Sequence, residues 1–307
     1  MADYQFLFGD EYLDKPRAAQ NWIIKPLIPV GGYVNLYAKP KVGKSQLALG
    51  ICHAIATGAP LWLDFPVLMH GPVLYLQADT PEGIWAEGLQ KMRKVGFDFD
   101  LVGFADQTMI PYPFNALGGD CDTLAAMIDE TGVDPVLIVI DVAREIHQDD
   151  ENQSHVMAGV IQNLRKAVGF HRAILINSHS RKGGGEFEAH DRADESSDGL
   201  MDENRGSGYV SGKMDTIMKL TKHYLHVEGR RTGGYFKRKI RWNPKLRERG
   251  AYVWELDDDP VVEAARQAML EEGSDRGKAR TLARQLQEDE EKVRSVMRRL
   301  KRAQAQR

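Results

Sequence analysis

The sequence predicts an α/β fold in which a parallel sheet lies between helices on both faces, with a small helical unit appended at the C-terminus. Two observations carry this expectation. Runs that are apolar throughout, such as Val136-Leu-Ile-Val-Ile-Asp141 and Arg172-Ala-Ile-Leu-Ile-Asn177, alternate with helical stretches, which is the pattern of strands buried on both faces by crossover helices. The length of 307 residues, 42% of them hydrophobic, suffices for one large domain and an appendage.

Residues 1–30 read as an N-terminal docking segment, with Trp22, Ile23, Ile24, Leu27 and Pro29 available to pack on the main body. Alternation starts at Gly31. Strands are expected at 33–37, 71–77, 136–141 and 172–177, and helices at 46–56, 82–95, 122–130 and 154–168. From 180 to 212 the chain is polar and rich in glycine, a loop whose length points to function or disorder. A further element is expected at 214–220, followed by β-like pieces around 224–227, 235–242 and 251–255. The run Asp257-Asp-Asp-Pro260 marks the end of a main domain over 31–257, and residues 258–307 hold amphipathic helices at 261–272, 279–286 and 291–303.

No stretch reaches the roughly 18 apolar residues that a membrane span requires, and the N-terminus lacks a secretory pattern, so a cytoplasmic protein with no membrane partner is expected. Cys52 and Cys121 are the only cysteines, too few for a disulfide framework or a cysteine metal site. The net charge of −3 is unevenly spread: residues 276–307 carry eleven Lys/Arg against four acids, a net of +7, which leaves −10 for the rest. A basic tail on an acidic body suits contact with a polyanion.

Between an expected strand and an expected helix lies Ala38-Lys39-Pro40-Lys41-Val42-Gly43-Lys44-Ser45, continuing into Gln46. Such a loop turns backbone N–H groups onto phosphates, offers a lysine to the β/γ-phosphates and a hydroxyl to Mg²⁺, and ends at a helix N-terminus that favours anions. ATP and Mg²⁺ are therefore the expected cofactors, with Lys44 and Ser45 in those two roles. Asp141 closes an apolar strand and is a Mg²⁺ ligand from a strand beside the loop, or else a turn cap. Asp79 closes the strand after the loop and is placed to orient an attacking water. Glu82 is its competitor, and capping the next helix is its other use. His179 follows another strand and is a candidate γ-phosphate sensor.

The order of these motifs resembles the RecA/DnaB-type ATPases, most closely the RepA-like hexameric replicative helicases and their AAA_25 relatives. The resemblance runs from about Trp22 to Leu220 and rests on Leu36-Tyr-Ala-Lys-Pro-Lys-Val-Gly-Lys-Ser-Gln-Leu-Ala-Leu49 with Ala56-Thr-Gly58, on Val73-Leu-Tyr-Leu-Gln-Ala-Asp79, on Val139-Ile-Asp141 through Asp150-Glu-Asn152, and on Asn177-Ser-His179-Ser-Arg-Lys182. Three departures stand out. Ala38 replaces the first loop glycine, Asp79 replaces a catalytic glutamate, and Ser178 replaces the first histidine of a paired sensor. The resemblance implies a RecA-like domain, and it makes Arg205, in Asn204-Arg-Gly-Ser207, an arginine finger that serves the neighbouring subunit's nucleotide. That role demands a homo-oligomer, expected to be a hexamer.

In the tail, Thr281-Leu-Ala-Arg-Gln-Leu286 and Val293-Arg-Ser-Val-Met-Arg-Arg-Leu300 look like a helix-turn-helix, with Arg294, Arg298, Arg299, Lys301 and Arg302 as contacts to duplex DNA. A docking module for a replication protein has the same pattern. Arg181 and Lys182 precede the loop glycines and are candidates for gripping single-stranded DNA. Together these features predict an ATP-hydrolysing, ring-forming motor of the replicative helicase type that translocates on single-stranded DNA. The alternative is a DNA-associated ATPase switch in recombination, loading or partition that does not unwind.

Overall fold

A computed structural model of the chain describes residues 21–141 apart from 107, 110–114 and 116–118, residues 154–179, residues 213–257 apart from 231, and 275–286 with scattered positions around that helix and near the N-terminus. Within the segment expected to dock, residues 22–29 form a short antiparallel pair, β1 (Trp22–Ile24) and β2 (Ile28–Pro29). The main strands are β3 (Tyr33–Ala38), β6 (Val73–Gln77), β7 (Val102–Ala105), β8 (Leu137–Asp141), β9 (Ala173–His179), β10 (Thr216–Leu220), β11 (Tyr224–Gly229), β12 (Phe236–Trp242) and β13 (Trp254–Leu256), with β4 (Leu61–Trp62) and β5 (Phe65–Pro66) forming a separate small hairpin. The helices are α1 (Lys44–Thr57), α2 (Glu82–Lys94), α3 (Asp120–Glu130), α4 (Ser154–Val168), the short α5 (Pro244–Glu248) and α6 (Asp275–Leu286).

The nine-stranded sheet runs β13-β12-β11-β10-β3-β9-β8-β6-β7. From β10 to β7 all neighbours are parallel, while β11, β12 and β13 extend the other side antiparallel. The expected parallel sheet is thus present, and the later β-like pieces give it a mixed edge. One expectation is corrected by this order: β8, which ends in Asp141, does not lie beside the phosphate-loop strand β3, because β9 is inserted between them. Strand order is set by long-range pairing and leaves no local trace in composition.

Both faces of the parallel half are covered, as the alternation within β8 shows. Leu137 and Val139 join a core with α1, α2 and the docking segment, while Ile138 and Ile140 join one with α3 and α4. Ile23, Ile24, Leu27 and Ile28 are fully buried in the first core. At about 1.5–3 kcal/mol for each such side chain, they hold the segment firmly on the body. β7 was not foreseen, since its four residues, Val-Gly-Phe-Ala, carry too short a pattern to register. In the tail, Ala265, Ala268, Ala279, Leu282, Ala283, Val293 and Met297 form one cluster of buried side chains. Among the described residues no helix is long and apolar enough to cross a membrane.

Candidate nucleotide site

The site forms where the parallel strands end. β3 delivers the chain at Ala38 into the loop 38–45, and α1 starts at Lys44. Lys41 takes a left-handed backbone (φ 65°) at a position where glycine is the unstrained choice, and Gly43 is left-handed as well (φ 108°). Gly43 precedes α1 with no side-chain cap, and the first turn holds no acidic residue, so its leading N–H groups are left to an anion.

Register explains which side chains meet the loop. Ala38 pairs with His179 across β3 and β9, which sets the His179 ring beside the loop, with Nδ1 at 3.3 Å from the Lys44 ammonium. Asp141 pairs with Asn177 on one side and Gln77 on the other, giving a polar row of Gln77, Asp141 and Asn177 at the edge of the sheet. All three are at least 97% buried. Among the described residues neither amide atom of Asn177 has a hydrogen-bond partner, and a buried amide without partners points to a ligand or water that the site is built to take. Two residues further back on the same strand face, Tyr75 donates its hydroxyl to Asp141 Oδ2 at 2.6 Å, fixing that carboxylate.

Charge follows from this geometry. Burial pulls the Lys44 ammonium below its ordinary pKa, and the Asp141 and Asp79 carboxylates partly restore it, which places both acids within electrostatic reach of the loop lysine. Burial, then the Asp141 charge, drives the Tyr75 phenol well above its ordinary value, while a hydrogen bond from the Ser45 side lowers it. Tyr75 therefore ties the hydroxyl and the carboxylate expected to hold the metal into one cluster. Among the described residues no three His, Cys, Asp or Glu side chains gather to hold a metal alone. Two hard oxygen donors beside a phosphate site instead suit Mg²⁺, which keeps several waters and shares phosphate oxygens.

Of the expected residues, the structure brings Lys44, Ser45, Asp141, His179 and the exposed Asp79 to one edge. Arg205, Arg181, Lys182, Arg299, Lys301 and Arg302 lie outside the described residues. In the tail, Arg294 is ion-paired with Glu290 and Arg298 with Glu291, so helical acids partly neutralise the two described DNA candidates.

Sequence reasoning missed three contributors: Tyr75, Asn177 and a tryptophan pair. Trp242 and Trp254 stack with ring centroids 3.9 Å apart, and Trp254 Nε1 donates to Gly43 O at 3.1 Å. A Cβ on Gly43 would lie 2.3 Å from Trp242, so the loop is pressed against these rings and admits only glycine there. The tryptophans had no signal that could find them, since the contact spans 211 residues. Asn177 sits two positions before His179 on one strand face, and Tyr75 two before Gln77 on another, which is the one clue the sequence held.

A family model described as an AAA domain, AAA_25, matches residues 4–185, more than half of the chain. Among solved structures, the ATPase domain of G40P is similar with a TM-score of 0.49 at 13% identity, over 74% of this chain and 85% of that one. The KaiC-like protein PH0186 from the hyperthermophilic archaeon Pyrococcus horikoshii OT3 is similar with a TM-score of 0.46 at 12% identity, over 76% of this chain and 93% of that one. The match over more than half of the chain, on a sheet edge that holds a phosphate loop, means that the protein belongs to the AAA_25 family and is a P-loop ATPase.

Proposed function

We propose that the protein is an ATP-driven motor of the replicative helicase type, assembling as a ring, expected to be a hexamer, and moving on single-stranded DNA. The observation that supports it most is the convergence of Lys44, Asp141, Asp79 and His179 at the C-terminal edge of the parallel strands. Each has a task in phosphoryl transfer. The loop N–H groups and Lys44 neutralise the phosphates. Ser45 and Asp141 would hold Mg²⁺, which polarises the phosphate oxygens when bound. Asp79 is exposed and not committed to the core, and takes the proton of the attacking water or orients it. His179, in contact with Lys44, senses the charge that Lys44 meets and passes it to the chain beyond β9. Arg205 is assigned to the neighbouring subunit's site on the family resemblance.

The second reading, a DNA-associated switch with slow turnover, is favoured by Asp79 itself, whose carboxylate is one methylene shorter than the glutamate of the resembled family. The test is ATP hydrolysis with and without single-stranded DNA, and with Arg205→Ala subunits mixed into wild type. A motor is stimulated by DNA, and the mixture loses more activity than the fraction of variant added. Slow turnover indifferent to both sinks the motor and leaves the switch.

A further inference from the structure

Asp79 stands on a turn whose two ends are tied by the backbone and whose middle is not. On one side the Ala78 N–H donates to Asp141 O at 2.7 Å, which fixes the chain to β8. On the other, Pro81 O accepts from the Ile84 and Trp85 N–H groups at 3.1 Å each, where α2 starts. Among the described residues no backbone–backbone hydrogen bond reaches Asp79 or Thr80. The side chain of Gln77 supplies what is missing. It is 1% exposed, so its amide must find partners inside the protein. Oriented to meet them, the amide is directed at this turn: Oε1 accepts from the Asp79 N–H at 3.3 Å, from the Thr80 N–H and from the Thr80 hydroxyl at 3.0 Å, while Nε2 donates to Thr80 O at 2.9 Å.

We propose that Gln77 is a positioning residue for hydrolysis, whose buried amide clamps the Asp79–Thr80 turn and so holds the Asp79 carboxylate toward the nucleotide; this rests on the reading of Asp79 as the group that orients the attacking water. Asp79 is exposed, so packing does not hold it. Its side chain is also short. With a single methylene it has little reach to correct a displaced backbone, so a shift of the turn becomes a shift of the carboxylate. A displacement of about 1 Å in such a group can cost on the order of 10²-fold in rate. Gln77 pairs in register with Asp141, whose Oδ2 is already taken by the Tyr75 hydroxyl, and its own amide faces the turn. In this role Gln77 acts only through Asp79.

The experiment is a double-mutant cycle of Gln77→Met and Asp79→Ala. ATP hydrolysis in Mg²⁺ is read as kcat and KM, and hydrogen exchange of the Asp79 and Thr80 amides is read in the nucleotide-free protein. Methionine is unbranched and fills the space without the amide. Gln77→Met should lower kcat about 10–100-fold with KM unchanged within about threefold, and should speed exchange at Thr80 about tenfold. Added to Asp79→Ala, the same substitution should change kcat by less than about twofold, because residues that act as a unit are not additive. Wild-type kcat or wild-type exchange in Gln77→Met, or an equal loss in both backgrounds, overturns the clamp and leaves Asp79 in its role. Wild-type kcat in Asp79→Ala overturns the reading of Asp79, and the role of Gln77 with it. If Gln77→Met does not fold, Thr80→Val decides. It removes only the hydroxyl's bond to Gln77 and should lower kcat about threefold, and an unchanged kcat would overturn the clamp.

Discussion

The two halves of the sheet are built on opposite rules. In the parallel half β8 reads Leu-Ile-Val-Ile-Asp and is buried at every position, whereas β12 reads Phe-Lys-Arg-Lys-Ile-Arg-Trp and buries Ile240 alone. Strands covered on both faces leave polar side chains few places besides their ends, and Gln77, Asp141, Asn177 and His179 collect along one edge. The antiparallel half has an open face and contributes by reach, carrying Trp242 and Trp254 round to the outer side of the phosphate loop. On the proposed reading, chemistry falls to the parallel half and support of the loop to the other.

Substitutions should separate these roles. The largest effect is expected of Asp141→Ala, which removes the buried carboxylate and should lower ATP turnover by about 10²–10³-fold. Turnover at saturating ATP and Mg²⁺ checks it, and near-wild-type activity would take the chemistry out of the parallel edge. Next comes Tyr75→Phe, which leaves Asp141 without its buried donor and should destabilise the fold by about 1–3 kcal/mol, read from denaturant midpoints.

The same residue predicts a pH dependence. Its folded pKa is raised above the ordinary value of 10.0, so the folded state holds the proton more tightly than the unfolded state does. The resulting stability is complete below pH 10.0 and is lost as pH rises above it. Tyr75→Phe should flatten that decline, and a variant as alkali-sensitive as wild type would place the titration elsewhere.

Trp254→Phe tests the other half. It keeps the ring but loses the bond to Gly43 O, costing about 1 kcal/mol of stability and a few-fold in ATP affinity, with turnover at saturation unchanged. A large fall in saturated turnover would show that the tryptophans do more than brace. The smallest effect is expected of Lys41→Gly, which relieves a left-handed lysine at an exposed position and should stabilise by up to about 1 kcal/mol.

Much of the parallel half was legible because its signals are local. The loop chemistry of residues 38–45, the helix after it, and the apolar runs ending in Gln77, Asp141 and Asn177 each announce themselves within a few residues. What stayed hidden is set by distant pairing. Nothing in the sequence places β9 between β3 and β8, brings a hydroxyl at 75 to a carboxylate at 141, or sets Trp242 against Gly43. β11 to β13 were visible only as fragments, because alternating charged strands resemble loops in composition. The role of Arg205 came from resemblance and rests on the mixing test above, while that of the tail came from pattern alone.

The central claim is that the edge of the parallel strands is an ATPase site worked by Lys44. The most direct measurement is ATP hydrolysis in Mg²⁺ by wild type and Lys44→Ala, with thermal melting of both proteins alongside. The account predicts turnover by wild type, its near-complete loss in the variant, and melting temperatures that agree within a few degrees. A folded Lys44→Ala protein that hydrolyses ATP at the wild-type rate would contradict it.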